Sequence, residues 1–189
     1  RGDDLAGDGS REKPWASLPH ALENIGPPAT DRHVAVLVSA GRYTQPTFVL
    51  KPRVHLFGGL PSPAPGAMAM TLGDTTGRTW GGMFVPRDVY RYATILDGGE
   101  THRIAFGADD AHVDGFHFVR GRVRGKGVAL LCDGVSPAIA NCIFTQNRTL
   151  IPQPWNPAQL HETAHDGGAV LVRHPVARLD LFIGIHARL

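Results

Sequence analysis

His112-Val113-Asp114-Gly115-Phe116-His117-Phe118 and Ala138-Ile139-Ala140-Asn141-Cys142-Ile143-Phe144 are two copies of one pattern, set 26 residues apart. Each ends in apolar residues at alternate positions, Phe116 and Phe118 in the first, Cys142 and Phe144 in the second, which point to one face of an extended strand. A weaker third copy stands at Leu179-Asp180-Leu181-Phe182. Between the copies lie Gly127–Cys132 and Gly168–Val172, short runs of aliphatic residues entered by glycine. Helical repeats need apolar spacings of three and four over ten or more residues, and these segments are strand-length and bounded by Gly, Asp and Asn. The pattern therefore predicts stacked coils of short parallel strands, with Phe118, Phe144 and Phe182 in one interior ladder.

Working outward, Ser17 to Ile25 predicts a short helix. Ser17 is a good N-cap, Pro19 suits the first turn, and Leu18, Ala21, Leu22 and Ile25 share a face. Such a helix would cap the open apolar end of the first coil. Val34–Val38, Thr47–Leu50 and Val54–Phe57 read as the three sides of that coil. Thr94–Gly98 and Arg103–Phe106 resume the array, the His112 segment closes the second coil, Gly127 to Asn147 forms the third, and Gly167 opens the fourth. Excursions are expected at 60–93, around Trp80, and at 148–166, around Trp155. Residues 1–13 read as a flexible lead and 14–189 as a single domain, with further coils expected beyond Leu189.

With 189 residues, 42% of them hydrophobic and 19% charged, the chain can bury one continuous core, and 23 glycines and 15 prolines suit a fold that turns every few residues. The formal net charge of +2 singles out no partner, and no nucleic acid is expected as one. No apolar run reaches membrane-spanning length, so no membrane insertion is expected of this stretch. Two cysteines, Cys132 and Cys142, are too few for a disulfide framework, and whether they pair is left open.

Taken in order, several segments resemble the bacterial right-handed parallel β-helix proteins of the pectin-lyase-like superfamily, in particular its surface-protein branch akin to polymorphic outer-membrane proteins. The segments are Gly7-Asp8-Gly9-Ser10 followed by Pro14–Leu18, then Val38–Tyr43, Val54–Gly59, Arg87-Asp88 before Thr94–Gly98, Val113–Phe116, and Asn141–Phe144 with Asn147. The resemblance implies an all-β solenoid of about four coils with an N-terminal capping helix, an extracellular or cell-surface location, and a repetitive face that binds glycans or proteins without catalysis. The alternative it carries is a polysaccharide lyase or glycoside hydrolase, which would gather carboxylates around calcium; otherwise no cofactor is expected.

The residues that could carry chemistry are few. Arg120, Arg122, Arg124 and Lys126 alternate with Gly121, Val123 and Gly125, so an extended backbone would project all four cations to one side and attract an acidic polysaccharide or surface glycan. A solvated turn is the plainer reading of that run. Trp80 and Trp155 could stack on sugar rings or cover a strand edge. Asp110 and Asp114 with Lys126 are the catalytic candidates under the lyase reading, although the Asp-Gly pairs at Asp97, Asp114 and Asp133 are first of all turn signals. His161-Glu162-Thr163-Ala164-His165 spells the zinc-protease pattern, which works only on a helix that presents both imidazoles to one ion. Leu171 stands where the longer form of that motif has histidine, so a loop is preferred there and no metal is expected at His161 and His165.

Overall fold

The constant spacing of the two copies becomes a strand register. In the structure, a computed structural model that describes residues 2–62, 87–150 and 169–173, Ala138 lies opposite His112, Ile139 opposite Val113, and Phe144 opposite Phe118. Among the described residues every strand pairing is parallel. Sheet A consists of β1 (Val34–Ser39), β4 (Val54–Leu60), β7 (His112–Asp114) and β11 (Ala138–Ala140) in that spatial order. Sheet B runs β2 (Gly41–Thr44), β5 (Thr94–Asp97), β8 (Phe116–Val119), β12 (Ile143–Thr145), and sheet C runs β3 (Phe48–Val49), β6 (Ala105–Phe106), β10 (Leu130–Asp133), β14 (Val170–Arg173). A two-stranded sheet of β9 (Arg122–Val123) and β13 (Arg148–Thr149) sits between B and C in chain order. The chain thus passes from A to B to C and back to A.

Parallel strands need a crossover between partners, and here the other two sheets supply it. This order corrects the expected phase of the repeat. Val54–Leu60 lies beside β1 in sheet A, and His112–Asp114 lies beside β4, so each opens a new pass instead of closing one. The missing side of the first pass is β2, whose Gly41-Arg42-Tyr43-Thr44 carries no aliphatic signal and is defined by pairing with β5.

Inward positions of all three sheets meet in one core. Leu56, Leu96, Phe116, Phe118, Val113 and Leu130 are sealed from solvent, and burying each stabilises the fold by roughly 1.5–3 kcal/mol. The Phe118 and Phe144 rings stack with centroids 4.8 Å apart and planes 12° from parallel, as the repeat predicts. Phe182 lies outside the described residues. Helix α1 (Leu18–Asn24) starts where expected, with Ser17 Oγ accepting from His20 N, and its buried Leu18 and Leu22 join the core cluster at the β3 end. Ahead of it, Asp3 N donates to Pro14 O, Asp8 N to Lys13 O, and Trp15 Nε1 to Gly7 O, which folds the lead onto itself. Both cysteines are free and buried, and burial pushes each thiol up to about 12.

Candidate functional site

Strand alternation decides what each sheet shows to the outside. On sheet A, one outward row is Ala35, His55, His112 and Ala138, and the next is Leu37, Phe57, Asp114 and Ala140. Two adjacent strands therefore place two histidines side by side, and His33, just ahead of β1, extends the row. His33 Nδ1 is 2.6 Å from His55 Nε2, with the two rings stacked at 4.8 Å, and His55 meets His112 edge-on at 5.8 Å. Burial lowers the affinity of His55 for a proton, and the nearby His33 and His112 lower it further. For His112 burial acts the same way; Asp114 opposes it and Arg87 reinforces it.

The second row is organised by Arg87, which follows the segment 63–86 and crosses the outer face of sheet A. Its Nη1 and Nη2 donate to Asp114 Oδ2 and Oδ1 at 3.0 and 2.9 Å, its Nε donates to Gly58 O at 3.0 Å, and its guanidinium lies 5.6 Å from the centre of the Phe57 ring. Asn141 Nδ2 adds a bond of 2.9 Å to Asp114 Oδ1. Burial works against the charge on Asp114, yet the hydrogen bonds from Arg87 and Asn141 outweigh it and hold the carboxyl below its ordinary range. Gly115, at φ +83°, supplies the room for this: a Cβ there would collide with the Arg87 guanidinium. The Asp114-Gly115 pair is thus more than a turn signal, because its carboxylate serves a cation from another part of the chain.

Asp97 also precedes glycine, and its carboxylate is likewise taken. Oδ1 accepts from Gly99 N at 2.9 Å, as a turn predicts, and from Arg120 Nε at 2.8 Å, while Arg42 from β2 bonds Oδ2. Burial opposes ionisation here, but the bonds from Arg120, Gly99 and Arg42 prevail and hold Asp97 at about 2. Arg120 is therefore not a free member of a basic stripe.

Nor is the stripe one extended strand. Arg120 (φ +55°) and Gly125 (φ +98°) bend the backbone at both ends, and only Arg122 and Val123 are in β9. Arg122 pairs with Glu100 at 3.5 Å across a half-exposed contact, Arg124 is exposed, and the Lys126 carbonyl accepts from Arg103 Nη2. The structure adds a cation that single-segment reading misses: Arg148 of β13 lies in register with Arg122. The 26-residue offset that aligns Phe118 with Phe144 also aligns these two arginines, so the signal was present in the sequence.

Asp110 sits exposed in the left-handed turn ahead of β7, its carbonyl accepting from Arg53 N, and acts on the His55 charge from there. Asp110 and Asp114 therefore flank one strand of sheet A, whereas Lys126 precedes β10 of sheet C. The lead carboxylates are occupied by backbone: Asp3 accepts from Leu5 N and Ala6 N, Asp4 from Ala16 N and Ser17 N, and Asp8 from Ser10 N. Among the described residues no three His, Cys, Asp or Glu side chains are grouped to hold a metal ion, and no helix is long and apolar enough to cross a membrane. Trp80, Trp155, His161 and His165 lie outside the described residues. Compared with protein-family models, with curated proteins and with solved structures, the chain matches none.

Proposed function

We propose that this chain is a right-handed parallel β-helix of about four coils that works outside the cell or on its surface as a binding module without catalysis of its own, with an acidic polysaccharide or surface glycan as its ligand. The repeated passage through sheets A, B and C supports the solenoid. The observation that carries the binding reading is the in-register rung of Arg122 and Arg148, with exposed Arg124 beside it. Adjacent strands stand roughly 4.8 Å apart, so two guanidiniums repeat along the stacking axis at the spacing of the coils. A polyanion running along that axis meets one cation per coil and is held mainly by charge.

The acids support the non-catalytic half of the reading. Asp97 and Asp114, the two buried carboxylates among the described residues, are each held ionised by arginine, which suits a structural ion pair and not a proton donor. A polysaccharide lyase is the second reading, and what favours it is the pair His55 and His112 beside Arg87, since imidazoles kept neutral by burial can accept a proton.

The test incubates the chain with polygalacturonate, alginate and chondroitin, with and without calcium, and follows binding, unsaturated-product absorbance and reducing ends together. Binding that weakens with salt, falls about fivefold to tenfold in Arg122→Gln/Arg148→Gln, and brings no turnover is the expected result. Turnover that disappears in His112→Asn establishes the lyase instead.

A further inference from the structure

We propose that His33 and His55 form an acid-operated latch that holds the segment between α1 and β1 against sheet A at neutral pH and releases it when the solution becomes mildly acidic. The contact itself dictates this behaviour. Two ring nitrogens 2.6 Å apart need one proton between them, one ring donating and the other accepting. A first added proton leaves the donor a donor. A second removes the accepting lone pair and sets two imidazolium rings against each other in a stack whose centroids are 4.8 Å apart, so the contact must open.

What surrounds the pair determines which way the proton balance tips. His112 lies edge-on to His55 from β7, Arg87 and Asp114 neutralise each other beside His112, and Asp110 approaches from the turn ahead of β7. Arg53, two residues before His55, donates from Nη2 to Pro28 O, and Asp31 and Arg32 adjoin His33 in an exposed turn. Burial, His33 and His112 all work against a proton on His55, with Asp110 opposing them, so His55 takes its proton below the ordinary histidine value of 6.5.

Among the described residues the segment is otherwise held mainly at its ends, where Ile25 and Val34 pack against the core. Among the described residues the hydrogen bonds that tie it to the body are Lys51 Nζ to Ile25 O, Arg53 Nη2 to Pro28 O and Val34 N to Arg53 O, and residues 27 and 29–33 are exposed. Opening the histidine contact therefore loosens the start of β1, which lies at one end of the described strands of sheet A, and leaves the strands beyond it in place.

Amide hydrogen exchange of the whole chain at about pH 7.5 and about pH 5, corrected for intrinsic exchange, tests the latch. Protection of the Val34 amide should fall at least about tenfold at the lower pH, with Leu96 unchanged. His33→Asn, at an exposed position, should abolish that fall by supplying a side chain that does not titrate, and His55→Asn should do the same. A fall of equal size in both variants, or none in the parent chain, overturns the proposal. So does a fall that vanishes after treatment with EDTA, because a metal ion and not a proton would then join the rings.

Discussion

Asp97 and Asp114 are two answers to one problem, a carboxylate followed by glycine and buried in a stack of parallel strands. The Asp97 side chain is fully buried, but its partners Arg42 and Arg120 are 52% and 39% exposed, and both come from the sheet B ladder or its immediate continuation. At Asp114 both sides are covered, 11% exposed for the acid and 14% for Arg87, and the arginine arrives from outside the ladder. The first is an acid plug between two half-solvated cations. The second is a closed pair that anchors Arg87 across the outer face of sheet A. The difference lies in what is left behind when one arginine is lost: Asp97 keeps a second guanidinium, whereas the covered carboxylate of Asp114 keeps only the Asn141 amide.

The largest effect should therefore follow Arg87→Ala, which strands Asp114 with Asn141 alone and leaves Gly58 O without its donor. A loss of about 3 kcal/mol in chemical denaturation at neutral pH is expected. Arg87→Ala/Asp114→Ala should lose less than Arg87→Ala alone, and a double variant as unstable as the sum of the two would break the contrast. Next comes Asp97→Asn, at about 2 kcal/mol, because lowering a carboxyl from 3.8 to about 2 is worth roughly that much at neutral pH. Arg42→Gln should cost less than about 1 kcal/mol, since Arg42 is half exposed and Arg120 still holds the acid.

The two carboxylates also set how stability changes in acid. A carboxyl whose folded value is depressed binds fewer protons in the folded chain, so its contribution is complete above 3.8 and is lost as the pH falls toward about 2. Urea midpoints measured across that window should drop in the parent chain, and the share of the drop due to Asp97 should be missing in Asp97→Asn. The histidines act at higher pH. His55 and His112 take protons less readily folded than unfolded, so their contribution is full above 6.5 and declines below it. Denaturation between about pH 7.5 and about pH 5 should show a smaller loss in His55→Asn than in the parent chain.

The pairing of β7, β8 and β9 with β11, β12 and β13 was legible in the residues alone. From β7–β9 to β11–β13 one offset holds, so Phe118 finds Phe144, Gly121 finds Asn147, and Arg122 finds Arg148, whereas on sheet C Leu130 pairs with Ala105 and Val170 at other spacings. Helix α1 was legible as well, because a cap residue and an apolar face are local properties of the chain. The earlier strands find their partners only in the folded chain. Thr94 pairs with Gly41 on one side and Phe116 on the other, and His112 pairs with His55, so the passes differ in length and no periodic signal fixes their phase. β2 is fixed by its ladder with β5: Tyr43 and Thr44 suit a strand, but with Gly41 and Arg42 they form no apolar alternation that could be recognised in the sequence. The site residues follow the same division. Arg148 was readable through the repeat, whereas the Arg87–Asp114 pair and the His33–His55 contact join residues with no fixed spacing, and such a meeting is set by how strands stack in space.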